Sequence, residues 1–233
     1  MLLPWRGLFE QIALADVYVH YDDVQYPLGR SFMNRVQVKT PDGIQWLSVP
    51  IKKKKQGVQL IKDVIIDESQ DWRSHHKKVL KHMYGKAPFY KEMISLLESI
   101  YCTKTDSLSE LNILSIEKIS ECLGISPEFI RSSDLKSESH SSEKLLEIVK
   151  KLDGDIYITG HGALNYLDYD LFEANGVRVE YIDYRCSPYP QMHGEFNPYV
   201  SILDLIANTG SNSINYFNSP TIYWRDFIDK RDR

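Results

Sequence analysis

Apolar residues recur at helical spacing in some stretches of the chain and alternate with polar ones in others. Trp5, Leu8, Phe9 and Ile12 lie at i, i+3, i+4 and i+7 behind Pro4, which suits a first helical turn, and predict a short buried helix. The run 17–21 (Val-Tyr-Val-His-Tyr) predicts a strand that ends on Asp22-Asp23. Segments 35–39 and 44–51 alternate around Thr40-Pro41-Asp42-Gly43 and predict a β-hairpin. Residues 60–67 predict another strand. Beyond it, Trp72, His76, Val79, Leu80 and Met83 share a helical face that Gly85 closes. Helices are expected over 88–101 and 108–123, with Gly124 past the end of the second. A short strand follows at 129–132, and 136–142 is a polar stretch suited to a mobile loop.

The last third reads most clearly. A helix over 142–152, a strand over 155–159, the turn Gly160-His161-Gly162, a helix over 163–175 and a strand over 177–184 have the lengths that parallel sheets use. Pro198 opens an expected helix at 199–208. The expected fold is α/β: a mainly parallel, Rossmann-like sheet with a hairpin and a helical insertion over about 69–123. Residues 1–210 would form one domain and 211–233 a C-terminal tail.

Composition narrows the function classes. The chain has 233 residues, 42% hydrophobic and 26% charged, with net charge −4 and pI about 6.0. That is an ordinary globular chain and argues against general nucleic-acid binding. No apolar run approaches a membrane span and no signal peptide is evident, so the expected compartment is the cytoplasm. Cys102, Cys122 and Cys186 are too scattered for a disulfide framework or a zinc site, and the first two are expected as core thiols. The sequence points to no particular cofactor and assigns no metal ligands.

Four clusters carry candidate chemistry. The loop over 189–204 holds Tyr189, Gln191, His193 and Glu195 between two rigid elements; the imidazole is the default general base, and the nearby carboxylate orients it or a substrate amine. The alternative is a backbone-bonded loop histidine with Glu195 capping the next helix. Gly160, His161 and Gly162 form a strand-to-helix turn whose N–H groups suit a phosphate, although the motif lacks the full dinucleotide spacing and the Walker lysine. Asp22 and Asp23, with Gln25 and Asn34-Arg35, suit a metal, a substrate amine or sugar hydroxyls, and Arg35 a phosphate; a cap and an ion pair are the plainer reading. The lysines at 52–55 and the face of His75, Lys77, Lys78, Lys81 and His82 read as solvated charge, or as a dock for an acidic carrier protein. The chain has no Gly-x-Ser-x-Gly, His-Glu-x-x-His or Cys-x-x-Cys.

The stretches Leu-Pro-Trp-Arg-Gly-Leu-Phe at 3–9, Ala-Asp-Val at 15–17, Tyr-Asp-Asp-Val-Gln-Tyr at 21–26, Asn34-Arg35, Trp-Leu-Ser-Val-Pro at 46–50, Tyr166-Leu167-Asp168, Tyr-Pro-Gln at 189–191 and Gly-Glu-Phe at 194–196 together resemble the WbqC-like family. The resemblance runs from Leu3 to about Asn208. It implies a role in surface-polysaccharide (O-antigen) sugar synthesis. It also implies a short apolar strand and a His-Gln-Pro segment ahead of the Pro-Trp motif, a region in which Met1 falls and from which Leu2-Leu3 remains. The leading expectation is transfer of an acyl or aminoacyl group to a nucleotide-linked amino sugar. His193, Glu195 and Asp22 would do the chemistry. Asp23, Gln25, Asn34, Arg35, Gly160, His161, Gly162, Tyr166, Tyr189 and Gln191 would bind substrate, where strand ends bring Asp22, His161 and the His193 loop together. The competing expectations are an ATP-dependent, nucleotidyltransferase-like ligase that activates a carboxylate, and a non-catalytic pathway protein. Partners are a small sugar and an acidic carrier as acyl donor.

Overall fold

The structure is a computed structural model that describes residues 1–27, 29, 31–52 and 57–231. Lys53, Lys54 and Lys55 of the lysine run lie outside the described residues. In chain order the elements are α1 (Arg6–Ala13), β1 (Val17–His20), β2 (Arg35–Thr40), β3 (Gly43–Ser48), β4 (Ile51–Lys52), β5 (Ile65–Ile66), α2 (Trp72–Tyr84), α3 (Tyr90–Tyr101), α4 (Leu108–Cys122), β6 (Glu128–Arg131), α5 (Ser141–Lys151), β7 (Ile156–Thr159), α6 (Tyr169–Ala174), β8 (Arg178–Ile182), α7 (Ile202–Thr209), β9 (Thr221–Tyr223) and α8 (Trp224–Arg231). The chain is mixed α/β. Its described strands form four small sheets, not one broad parallel one: β1 with β6 parallel, β2 with β3 antiparallel, β4 with β5 antiparallel, and β7-β8-β9, in which only β7 and β8 are parallel.

Two compact units share the chain. The first holds 1–9, 22–126 and 187–217; the second holds 10–21, 127–186 and 218–233. In the first unit, the hairpin forms where alternation placed it, with Arg35 opposite Ser48, Gln37 opposite Trp46 and Lys39 opposite Ile44. Asp71 caps α2 and Ser107 caps α4, each through its side-chain oxygen. Helix α3 packs against α4 and α7, and Leu80, Met93, Leu97, Leu111, Ile119, Leu203 and Ile206 are at most 1% exposed there. Each such side chain contributes about 1.5–3 kcal/mol of transfer free energy. Segment 60–67 is a 3-10 turn (Ile61–Asp63) followed by the two-residue β5, a shorter strand than alternation suggests. Cys102 and Cys122 are exposed, contrary to their expected place in the core: one caps the end of α3 and the other ends α4, where the apolar stripe has run out.

In the second unit, Leu145, Leu146, Val149, Phe172, Val177, Val179, Tyr181 and Phe227 form the core. The helix expected over 163–175 breaks into a five-residue 3-10 turn (His161–Asn165) and the six-residue α6. The break has a local cause. Asp168 accepts a hydrogen bond from the Leu171 N–H at 3.1 Å and starts a fresh helix, while its own N–H donates to Ser142 Oγ at 2.9 Å. Strand β9 pairs with β8, and Glu173 accepts hydrogen bonds from Trp224 Nε1 at 2.9 Å and Arg225 at 2.8 Å at the start of α8. Among the described residues no helix is long and apolar enough to cross a membrane.

His76 in α2 has no exposed surface. Its Nε2 lies 3.1 Å from the Ser48 carbonyl, which can only accept, so Nε2 carries the proton and Nδ1 accepts from the Tyr101 hydroxyl at 2.8 Å. Burial pushes the imidazole down to about 4. The unfolded chain binds the proton near pH 6.5 and the native state resists it. Stability from this group is therefore held above pH 6.5 and lost as pH falls towards 4, by about 2 kcal/mol between pH 7 and pH 5. Urea unfolding at both pH values should show that loss, and His76→Gln should show a smaller one. Equal losses in the two proteins would refute the assignment.

Candidate functional site

The loop over 189–204 in the first unit needs a restraint, because His193 (φ 64°) and Gly194 (φ 68°) are consecutive left-handed residues. For a residue with a Cβ that conformation costs about 1–2 kcal/mol, which glycine escapes. The restraint is Lys39, only 4% exposed. Its ammonium donates to Gln191 Oε1 at 2.7 Å, to the Gly194 carbonyl at 3.4 Å and to the Glu195 carbonyl. All three protons are thereby engaged on one loop. Gln191 passes the contact on: Oε1 also accepts from the Asn197 N–H at 2.8 Å, and Nε2 reaches the Asn197 carbonyl at 3.0 Å and Asp204 Oδ1 at 2.8 Å.

Asp204 in α7 is fully buried. Its Oδ1 also takes the Tyr189 hydroxyl at 2.7 Å and Asn208 Nδ2 at 3.3 Å, while Oδ2 has no hydrogen-bond partner. Burial raises the carboxyl pKa, against the pull of Tyr189, Gln191, Tyr84 and Lys39. Burial lowers that of Lys39, against Asp204 and Glu195. Tyr84, fully buried beside them, accepts the Lys39 backbone N–H at 3.0 Å; burial and then the Asp204 charge hold its phenol well above the usual value. Arg6 donates to the Ser187 carbonyl at 2.7 Å, with its guanidinium 5.8 Å from the Tyr189 ring centre.

His193 projects from this clamped loop. Its Nε2 lies 2.8 Å from the Met83 carbonyl. A carbonyl only accepts, so the neutral ring is protonated at Nε2 and keeps a lone pair on Nδ1, the nitrogen able to take a proton. Glu195 is exposed, its carbonyl held by Lys39. At the start of β2, Asn34 is used at both ends: Oδ1 accepts from the Tyr26 hydroxyl and Nδ2 donates to the Val49 carbonyl, each at 3.0 Å. Arg35 lies 4.1 Å over the Trp46 ring, and its Nε is buried without a partner. Arg35 and Lys39 share a face of β2 and stand roughly 13 Å apart at strand rise. Asp22 is 5% exposed, with its carbonyl accepting from the Lys62 N–H; Asp23 is half-buried, and Gln25 is exposed and bridges Leu60.

Gly160, His161, Gly162 and Tyr166 belong to the second unit. The turn opens a 3-10 segment, not the α-helix whose N-terminus was to hold a phosphate. His161 Nε2 bonds the Ile182 carbonyl at 3.0 Å, and its ring packs 5.1 Å from Tyr184 and 4.8 Å from Phe227. A Cβ at Gly160 would sit 3.2 Å from the Tyr184 hydroxyl, so glycine suits that position. Tyr166 is 54% exposed. Among the described residues no three His, Cys, Asp or Glu side chains converge as metal ligands would.

Lys39, Tyr84 and Asp204 were not singled out from sequence. Lys39 stands on a hairpin face that alternation assigns to solvent, and Tyr84 is one of fifteen tyrosines. Asp204 did leave a signal: it stands alone among Ile202, Leu203, Leu205, Ile206 and Ala207, in a helix with no polar side until Asn208.

The model of the WbqC-like protein family matches residues 1–216, and the chain belongs to that family. The uncharacterized protein Rv1507c of Mycobacterium tuberculosis (strain ATCC 25618 / H37Rv) is 35% identical over 216 residues, which cover 92% of this chain and 93% of that one. No solved structure matches the chain.

Replacing Lys39 by Met strips three acceptors of their donor and leaves the Asp204 carboxylate without its neighbouring cation. The expected loss is about 3 kcal/mol in urea unfolding at pH 7. Adding Asp204→Asn should restore at least a third of it; strictly additive losses would show that the two side chains are not coupled.

Proposed function

We propose that the chain is a cytoplasmic transferase of surface-polysaccharide sugar synthesis, moving an acyl or aminoacyl group onto the amine of a nucleotide-linked amino sugar. Membership of the WbqC-like family supports the pathway. The observation that carries the chemistry is the His193 ring, tied at Nε2 to the Met83 carbonyl and left with a lone pair on Nδ1, on a loop that Lys39 restrains. In this reading the sugar amine attacks the donor carbonyl and a C–N bond forms. His193 takes the amine proton, the bond to the carrier breaks, and the proton passes to the departing carrier atom. Glu195, with Asp22, orients the amine; Asp23, Gln25, Asn34 and Arg35 bind the remainder of the substrate. Tyr189 and Gln191 act by holding the loop against Asp204. In the second unit Gly160, His161, Gly162 and Tyr166 carry substrate-binding groups of their own. The donor is an acyl or aminoacyl group, with an acidic carrier protein as the acyl donor.

His193→Gln keeps an amide N–H for the Met83 carbonyl and removes the base. With an acyl-thioester donor and a nucleotide-linked amino sugar, product followed by mass spectrometry should form about 100-fold or more slowly, with KM changed little. Unchanged turnover would remove His193 from the reaction.

A further inference from the structure

The first unit contains an apolar groove of about 230 Å³. Leu2, Pro4 and Val36 are its buried floor, and the rings of Trp5, Phe32 and Tyr199 are its rim. Phe32 is 48% and Tyr199 61% exposed, and Trp5 packs 5.6 Å from Tyr199. Gly7 helps to make the groove: a Cβ there would fall 2.4 Å from the Trp5 ring, so only glycine lets the indole lie across the start of α1. The polar side-chain groups among the described lining residues are the Gln37 amide, the Tyr199 hydroxyl and the Trp5 indole N–H, with no carboxylate.

Beside the groove stands a cation. Phe32 packs 5.5 Å from Trp46, and Trp46 carries the Arg35 guanidinium at 4.1 Å, with the Arg35 Nε buried and unpartnered. Arg35, Gln37 and Lys39 share one face of the hairpin with Trp46 and Ile44. This face therefore leads from the Arg35–Trp46 stack, past the Gln37 amide, to the Lys39 ammonium that holds the His193 loop.

We infer that the groove is the seat of a short aliphatic acyl chain, with Arg35 taking the anionic end of the molecule that presents it. The inference rests on the acyl-transfer reading and chooses between its two donors. A sugar ring would bury more hydroxyls than this mostly hydrocarbon lining can meet from Gln37, Tyr199 and Trp5, at about 1–3 kcal/mol for each left unpaired. An aminoacyl group would bring an ammonium that finds no carboxylate in the described lining. An alkyl chain loses nothing and gains with each methylene buried. The volume lies below the 300–1,000 Å³ or so of pockets for drug-sized ligands, so it suits a short chain and not a whole coenzyme.

The test is calorimetric titration of the full chain with butanoate, hexanoate and octanoate. Affinity should rise about four-fold per added methylene, the factor that about 0.8 kcal/mol gives, until the groove is full. Phe32→Ala, at a half-exposed position, should weaken octanoate at least five-fold. Arg35→Gln should weaken octanoate but not octanol. Circular dichroism of both variants establishes that they fold. His193→Gln should bind octanoate as the unmodified chain does, so loss of turnover in that variant and loss of groove binding are read separately. No dependence on chain length would overturn the inference. So would competition of octanoate by methyl glycosides, or a dimer in sedimentation that Phe32→Ala dissociates, since the groove would then hold a sugar or a second copy of the chain.

Discussion

The first unit depends on a buried ammonium whose hydrogen bonds go to uncharged oxygens. Lys39 is held by one side-chain amide and two carbonyls from a single loop, and the buried Asp204 carboxylate, bonded to the same Gln191, acts on its charge. Such an arrangement is costly to assemble, because both charges leave water. Its return is positional. A loop with two consecutive left-handed residues would otherwise sample many conformations, and here it is tied to a β-strand and a helix at once. The imidazole on that loop inherits the restraint.

His76 and His193 illustrate opposite uses of the same side chain. Each donates from Nε2 to a carbonyl. At His76 the other nitrogen is consumed by the Tyr101 hydroxyl inside a wholly buried site, and the ring is structural. At His193 the ring is half-exposed on a restrained loop, and its Nε2 bonds the Met83 carbonyl with no core tyrosine among the described residues at the other nitrogen. The hairpin adds the second theme. Its inner face, through Val36, Val38 and Leu47, is ordinary core, while its other face strings Arg35, Gln37 and Lys39 between an aromatic groove and the loop.

Departures from the sequence reading have identifiable causes. The helix expected after Gly160 lost to Asp168, whose capping side chain and N–H bond to Ser142 restart the helix six residues late. The helix opened by Pro198 begins instead at Ile202, because Ser201 supplies the cap: its hydroxyl accepts the Leu203 N–H and donates to the Leu3 carbonyl. The broad parallel sheet is replaced by short ladders, because β4 and β5 are two residues long and β9 runs against β8. Sequence periodicity reports which face of an element is apolar. It does not report which strand will lie beside it.

What the sequence by itself determined is the local layer: the helical stripes of α1 to α5, the Thr40–Gly43 turn and its hairpin, the family, and the density of polar groups over 189–204. These depend on neighbours within a turn or a strand pair. Only the tertiary structure decided what holds that loop. Lys39 meets Gln191 across 152 positions and His193 meets Met83 across 110, and no local pattern marks either partner. A buried charge is legible in sequence when its own element is otherwise apolar, as at Asp204. It is illegible when, like Lys39, it stands among polar neighbours and is covered by a segment from the far end of the chain.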